Sequence, residues 1–203
     1  MYLFLIETVI ISLSGVMAPG ALSAVTVAHG SSKSNAGLTI ALGHVFVEIP
    51  LILLVYFGAS NVIQSDLFQG FTRCLGGIFM LWLASKLLRE NLGDSKLDEV
   101  NQSSMRAGII LSLGNPYFLV WWATVGTSLV FRAAEFELLG LILFAICHWF
   151  CDLVWLWILS FLAYSSGDLL GGRFERIVAI VSGIFLLIMG FRFIYDFIVS
   201  FNL

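Results

Sequence analysis

Residues 36–59 read AGLTIALGHVFVEIPLILLVYFGA, an apolar run interrupted by His44 and Glu48. A helix that crosses a bilayer needs about 20 predominantly apolar residues, and this stretch meets that length with an ionisable pair near its centre. The rest of the chain has the same character. Its 203 residues are 60% apolar and 11% charged, with a mean hydropathy of +1.00, whereas soluble domains carry roughly a quarter charged residues. These figures exclude disorder and nucleic-acid binding. The net charge of −3 says little, because in a membrane protein the position of each charge matters more than the sum.

Working outward from that run, polar clusters divide the chain into six apolar spans at about 2–28, 36–59, 67–88, 107–131, 136–164 and 173–201. The runs are too long for barrel strands and show no period-two alternation. The expected fold is therefore an all-α polytopic membrane protein with six transmembrane helices. It forms one transmembrane domain, with a first half at 1–89, a polar connection at 90–105 and a second half at 106–203. No Lys or Arg precedes Lys33, so the first span is expected to be a permanent helix rather than a cleaved signal. Alternate connections collect Lys33, Lys86, Arg89, Lys96, Arg106, Arg173 and Arg176 on one side, and Arg132, with Arg73 and Arg192 near the boundary, on the other. Basic residues concentrate on the cytoplasmic side. Both termini are thus expected outside the cell membrane and the 90–105 connection inside.

The two halves resemble each other in their polar residues. His44 and Glu48 stand four apart in span two; His148 and Asp152 stand four apart in span five, 104 positions later. Span three reads GGIFMLWLASK (76–86) and span six reads SGIFLLIMGFR (182–192). Span one is interrupted at Pro19-Gly20 and span four at Asn115-Pro116. Three spans is an odd number, so the second half enters the membrane in the opposite sense. The expectation is two inverted three-helix repeats, an arrangement that places transport sites near the bilayer midplane at the repeat interface.

A carboxylate at the centre of a span costs about 2.5–3.5 kcal/mol on insertion scales, so its retention points to function. Glu48 and Asp152, with His44 and His148 one turn away, are the expected proton-coupling residues. Pro19 removes a backbone hydrogen bond from span one, and Gly20 opens conformations closed to other residues. Freed backbone groups at membrane depth are tolerated where they line a cavity. Half-helix N-termini attract carboxylates, and unwound carbonyls suit ammonium groups. Pro19, Gly20, Asn115 and Pro116 are the expected substrate-binding positions, with the Asn115 amide as an added polar group. Glu7 receives no role. The tryptophans are read as interfacial anchors and packing, and Gly15, Gly37, Gly43, Gly76 and Gly77 as points of close helix approach.

These residues resemble the LysE/RhtB lysine-exporter family of amino-acid efflux permeases over nearly the whole chain. The likeness rests on an ordered set: Ala18-Pro19-Gly20-Ala21, Gly43 to Glu48, Gly76-Gly77, Asn115-Pro116, and Asp152 followed by Trp155. The resemblance implies export of amino acids or related small solutes, driven by proton antiport, with no enzymatic activity and no cofactor. The implied partners are a small-molecule substrate, protons and the lipid bilayer, without nucleic acid; association into homo-oligomers stays open. Ala21 stands where members commonly carry a second proline, Glu48 where aspartate is frequent, and the two histidines are unusual, so the substrate stays open too.

Two other chemistries compete. His44, Glu48, His148 and Asp152 would make an N₂O₂ set suited to a divalent metal cation as cargo, although no His-rich loop accompanies it. A thiol–disulfide enzyme is disfavoured because Cys147 and Cys151 stand at i, i+4 rather than at the two-residue spacing of a redox pair.

Overall fold

The computed structural model describes residues 1–59, 65–89, 103–170 and 173–200. Of the expected connection at 90–105, residues 90–102 lie outside them. Among the described residues there is helix and no strand. Four helices are long and apolar enough to cross a membrane, or six spans if each of two bent pairs counts as one.

Span one is the first bent pair: α1 (Tyr2–Val16) and α2 (Ala21–Gly30) meet at 79° across Met17 to Gly20. α3 (Ala36–Leu54) carries Pro50 inside it and ends in a π-helical turn, Val55–Ala59, where Gly58 takes φ +101°. That left-handed backbone is open to glycine and strained for other residues. α4 (Asp66–Arg89) follows. Span four is the second bent pair, with α5 (Ser104–Leu113) set at 60° to the helical stretch beyond Asn115. That stretch comprises α6 (Pro116–Trp121), a π-helical turn (Trp122–Gly126) and α7 (Thr127–Ala134). α8 (Glu137–Leu170) and α9 (Arg173–Ser200) complete the chain.

Both breaks have local causes. Asn115 caps α6, its Oδ1 accepting from the Tyr117 N–H at 3.1 Å. Pro116 follows at the first helical position, where a missing N–H costs nothing. The Asn-Pro pair is therefore a helix start placed inside a span. At the other break, Gly20 has φ −166° and ψ −171°, an extended conformation that any residue adopts. The expectation that Gly20 serves through special backbone freedom is corrected. A Cβ there would meet only the Ala18 carbonyl, at 4.0 Å, so neither backbone conformation nor close packing requires glycine at this position.

α3 and α8 cross at the centre, with α5 on α3 and with α1 and α2 on α8, while α4 lies along α9. Small residues make the central crossings possible. A Cβ on Gly37 would fall on the Leu156 carbonyl of α8, and one on Gly43 on the Met105 carbonyl of α5; Gly108 meets the Ile40 carbonyl in return. The Trp149 indole N–H donates to the Ala41 carbonyl at 3.2 Å, and the Ser160 hydroxyl donates to the Ser34 carbonyl at 2.8 Å. Large apolar side chains such as Ile10, Phe46, Phe150 and Ile188 remain exposed on the outer faces, as lipid contact requires.

The crossing supplies a test. Gly37→Val pushes two methyl groups toward α8 backbone and should destabilise by about 1–3 kcal/mol through overpacking, seen as a lower melting temperature of the detergent-purified protein. An unchanged melting temperature would contradict the α3/α8 contact.

Candidate functional site

Residues i and i+4 share a helix face, so α3 presents His44 with Glu48, and α8 presents His148 with Asp152. The crossing brings these faces together. His148 Nε2 lies 2.8 Å from Glu48 Oε1, and His44 Nε2 lies 3.7 Å from the same oxygen and 3.8 Å from Asp152 Oδ1. His148 Nε2 is 3.9 Å from Asp152 Oδ2. Each imidazole thus faces both carboxyl groups. Glu48 is 0% exposed and Asp152 5%, a small difference that separates their surroundings: Asp152 borders a cavity and Glu48 does not.

Two serines orient the rings. His44 Nδ1 is 2.6 Å from Ser112 Oγ, and that hydroxyl donates its own proton to the Gly108 carbonyl at 2.5 Å. Ser112 Oγ is therefore the acceptor and His44 Nδ1 carries the hydrogen. A neutral His44 then turns a bare Nε2 lone pair toward two carboxyl groups. Acceptors facing one another favour a proton among them, on the imidazole or on a carboxyl. His148 Nδ1 lies 2.6 Å from Ser12 Oγ, a second imidazole–hydroxyl pair. Neither Glu48 oxygen, nor Asp152 Oδ2, has an aligned hydrogen bond among the described residues, although buried polar atoms are normally satisfied. The arrangement has the chemistry of a proton-binding site. Aromatic rings hold the imidazoles: Trp121 stacks on His148 at 5.1 Å, and Phe118 meets His44 edge-on at 5.1 Å.

The crossing borders a cavity open to solvent, with about 710 Å³ of empty space when the open solvent is included. Pro19 and Gly20 border it from span one, Asn115 from span four, and His44, His148 and Asp152 from the crossing. Met80 from α4 and Phe185 and Leu186 from α9 form the opposite wall. Six of the eight expected site residues therefore meet around one space. Glu48 stands behind it in contact with His148, and Pro116 acts on it through the helix start at Asn115. Because Asn115 Oδ1 is engaged as a cap, its free polar group is the amide NH₂.

Other participants carry no readable sequence signal. Ser12 and Ser112 are ordinary residues in apolar helices, and their partners lie 136 and 68 positions away. Trp121 and Trp122, read from sequence as anchors or packing, border the cavity. Glu7 pairs with Arg132, whose guanidinium also lies 5.2 Å from the centre of the Phe4 ring. This ties α1 to α7 at one end of the bundle, while His29 Nδ1 and Ser104 Oγ, 2.9 Å apart, tie α2 to α5. His44, Glu48 and Asp152 each offer one donor atom within 4.8 Å of the others, so three of the four residues of the expected cation set have suitable spacing.

Stability and function should separate at Glu48. Glu48→Leu removes a carboxylate that costs about 2.5–3.5 kcal/mol to bury, and His148 can remain neutral beside it. The variant is expected to melt at or above the wild-type temperature while losing transport. A marked drop in melting temperature would instead make Glu48 a structural tie.

Comparison with known proteins places the chain among efflux proteins by sequence. YcgF of Bacillus subtilis (strain 168), which is named for amino acid efflux, is 22% identical over 161 residues, covering 76% of this chain and 77% of that protein. A leucine efflux protein of Enterobacter sp. (strain 638) is 25% identical over 132 residues, covering 56% of this chain and 61% of that protein. No solved structure matches the chain. The family model described as "LysE type translocator" matches residues 13–197. With that match and its apolar helices, the chain is a multi-pass membrane protein that belongs to the LysE type translocator family.

Proposed function

We propose that this protein is a secondary transporter that exports amino acids or related small solutes across the cell membrane in exchange for protons. The observation that carries the reading is the meeting of four buried ionisable side chains, from two central helices, at a cavity bordered by two helix breaks. A cavity with exposed helix ends and an adjacent proton site has the parts an antiporter needs. The relatives named for amino acid efflux support the substrate class. They lend no support to a divalent cation as cargo.

In this reading Pro19, Gly20, Asn115 and Pro116 shape the substrate site, and Glu48, Asp152, His44 and His148 bind the coupling proton. The two halves, 1–89 and 106–203, act as inverted repeats. The crossed pairs His44–Ser112 and His148–Ser12 support this, since each histidine reaches into the other half for its hydroxyl. One half rocks against the other about the α3/α8 crossing, and the Glu7–Arg132 and His29–Ser104 ties open and close opposite ends. Both termini face outward and the polar connection at 90–105 faces the cytoplasm.

Proteoliposomes loaded with a mixture of radiolabelled amino acids test the proposal. An inward-directed proton gradient should accelerate release from wild-type vesicles. Asp152→Asn, which keeps shape and loses the titratable group, should abolish that acceleration while inserting normally. Gradient-driven release undiminished in Asp152→Asn, or no release of any amino acid by the wild type, would reject it.

A further inference from the structure

Two chemically different groups border the cavity. α2 begins at Ala21 with no side chain capping it, and Gly20, Leu22 and Ser23 line the space. The first N–H groups of a helix lack intrahelical partners and favour a carboxylate. An independent feature points to the complementary charge. Asp152, nine-tenths or more buried, borders the same cavity, and its Oδ2 has no aligned hydrogen bond. A helix N-terminus and a carboxylate that faces only the two imidazoles at 3.8 and 3.9 Å, around one space, match the two charges of an α-amino acid.

The remaining wall is apolar and aromatic: Met80, Tyr117, Phe118, Trp121, Phe185 and Leu186. Tyr117 and Phe185 meet edge-to-face with ring centres 6.0 Å apart. Among the described residues that line the cavity, Asp152 is the only carboxylate, and there is no Lys or Arg. With Asp152 taken by the α-ammonium, an ammonium group at the end of a substrate side chain would find no second carboxylate among the described lining residues. Burying an unpaired charge in that way is strongly unfavourable. Burying an apolar side chain there gains about 0.8 kcal/mol per CH₂.

We infer that the site takes neutral amino acids with apolar side chains, leucine-sized to aromatic, and discriminates against dibasic ones. The carboxylate sits at the α2 N-terminus, the α-ammonium on Asp152, and the side chain against the Tyr117–Phe185 wall. This inference rests on the amino-acid efflux reading and narrows it.

The test is counterflow of tritiated leucine in proteoliposomes, with unlabelled leucine, methionine, phenylalanine, lysine and arginine as competitors. The first three should compete, and lysine and arginine should be weaker by at least about a hundredfold. Phe185→Ala removes most of one wall and should move the phenylalanine-to-leucine preference about tenfold toward phenylalanine. Lysine or arginine competing as well as leucine would overturn the inference and leave the efflux reading standing. A Phe185→Ala variant with an unchanged preference would overturn the placement of the side chain. If Phe185→Ala does not fold, the wild-type competition series still decides. Absence of counterflow for every amino acid tried would defeat the efflux reading itself, and the inference with it.

Discussion

Two carboxyl groups in the hydrocarbon layer impose the central constraint on this molecule. Each is costly to insert, by about 2.5–3.5 kcal/mol, and neither can face lipid. Glu48 and Asp152 meet this constraint by facing each other's helices, with His44 and His148 between them. That solution dictates much of the packing. α3 has to lie close enough to α8 for imidazoles to reach carboxyl oxygens, so the crossing uses Gly37 against the Leu156 carbonyl and a hydrogen bond from Trp149 to the Ala41 carbonyl. On the α5 side the facing glycines Gly43 and Gly108 play the same part and bring Ser112 within 2.6 Å of His44.

The same crossing divides the two carboxyl groups by surroundings. Glu48 is sealed behind His148, whereas Asp152 borders the cavity between the central helices and the α4/α9 wall. A group behind a histidine is suited to holding a proton, and a group at the cavity is suited to meeting a cationic part of a substrate. His148, 2.8 Å from Glu48 and 3.9 Å from Asp152, lies between the two. In the proposed antiport, a proton and a substrate ammonium would compete for one connected cluster, because occupancy by one cation raises the cost of adding the other.

Much of this was legible in the sequence because bilayer physics leaves strong marks. Long apolar runs with His44, Glu48, His148 and Asp152 inside them fix spans two and five, and the observed helices follow them closely. α8 extends through Leu170, beyond the expected end at 164. Pro19-Gly20 and Asn115-Pro116 were readable as breaks because proline cannot join the helical ladder. Gly20 departs from the expectation, since its backbone is ordinary and a Cβ would fit there without a clash. Ser12, Ser112 and the Glu7–Arg132 tie were not legible, as their partners are distant in sequence and serine is unremarkable in an apolar helix. The unequal burial of Glu48 and Asp152 was also hidden: their local sequences look equivalent, and only the placement of α9 and the helix breaks separates them.

The central claim is that the cluster formed by α3 and α8 holds an exchangeable proton that substrate displaces. Infrared difference spectroscopy of the lipid-reconstituted protein, recorded on adding leucine at constant pH, reads this directly in the stretching band of protonated carboxyl groups. The account predicts a loss of that band with matching proton release into the medium, and neither change in a protein lacking both carboxyl groups through Glu48→Gln and Asp152→Asn. A wild-type protein that binds leucine with the band unchanged and no proton released would contradict it.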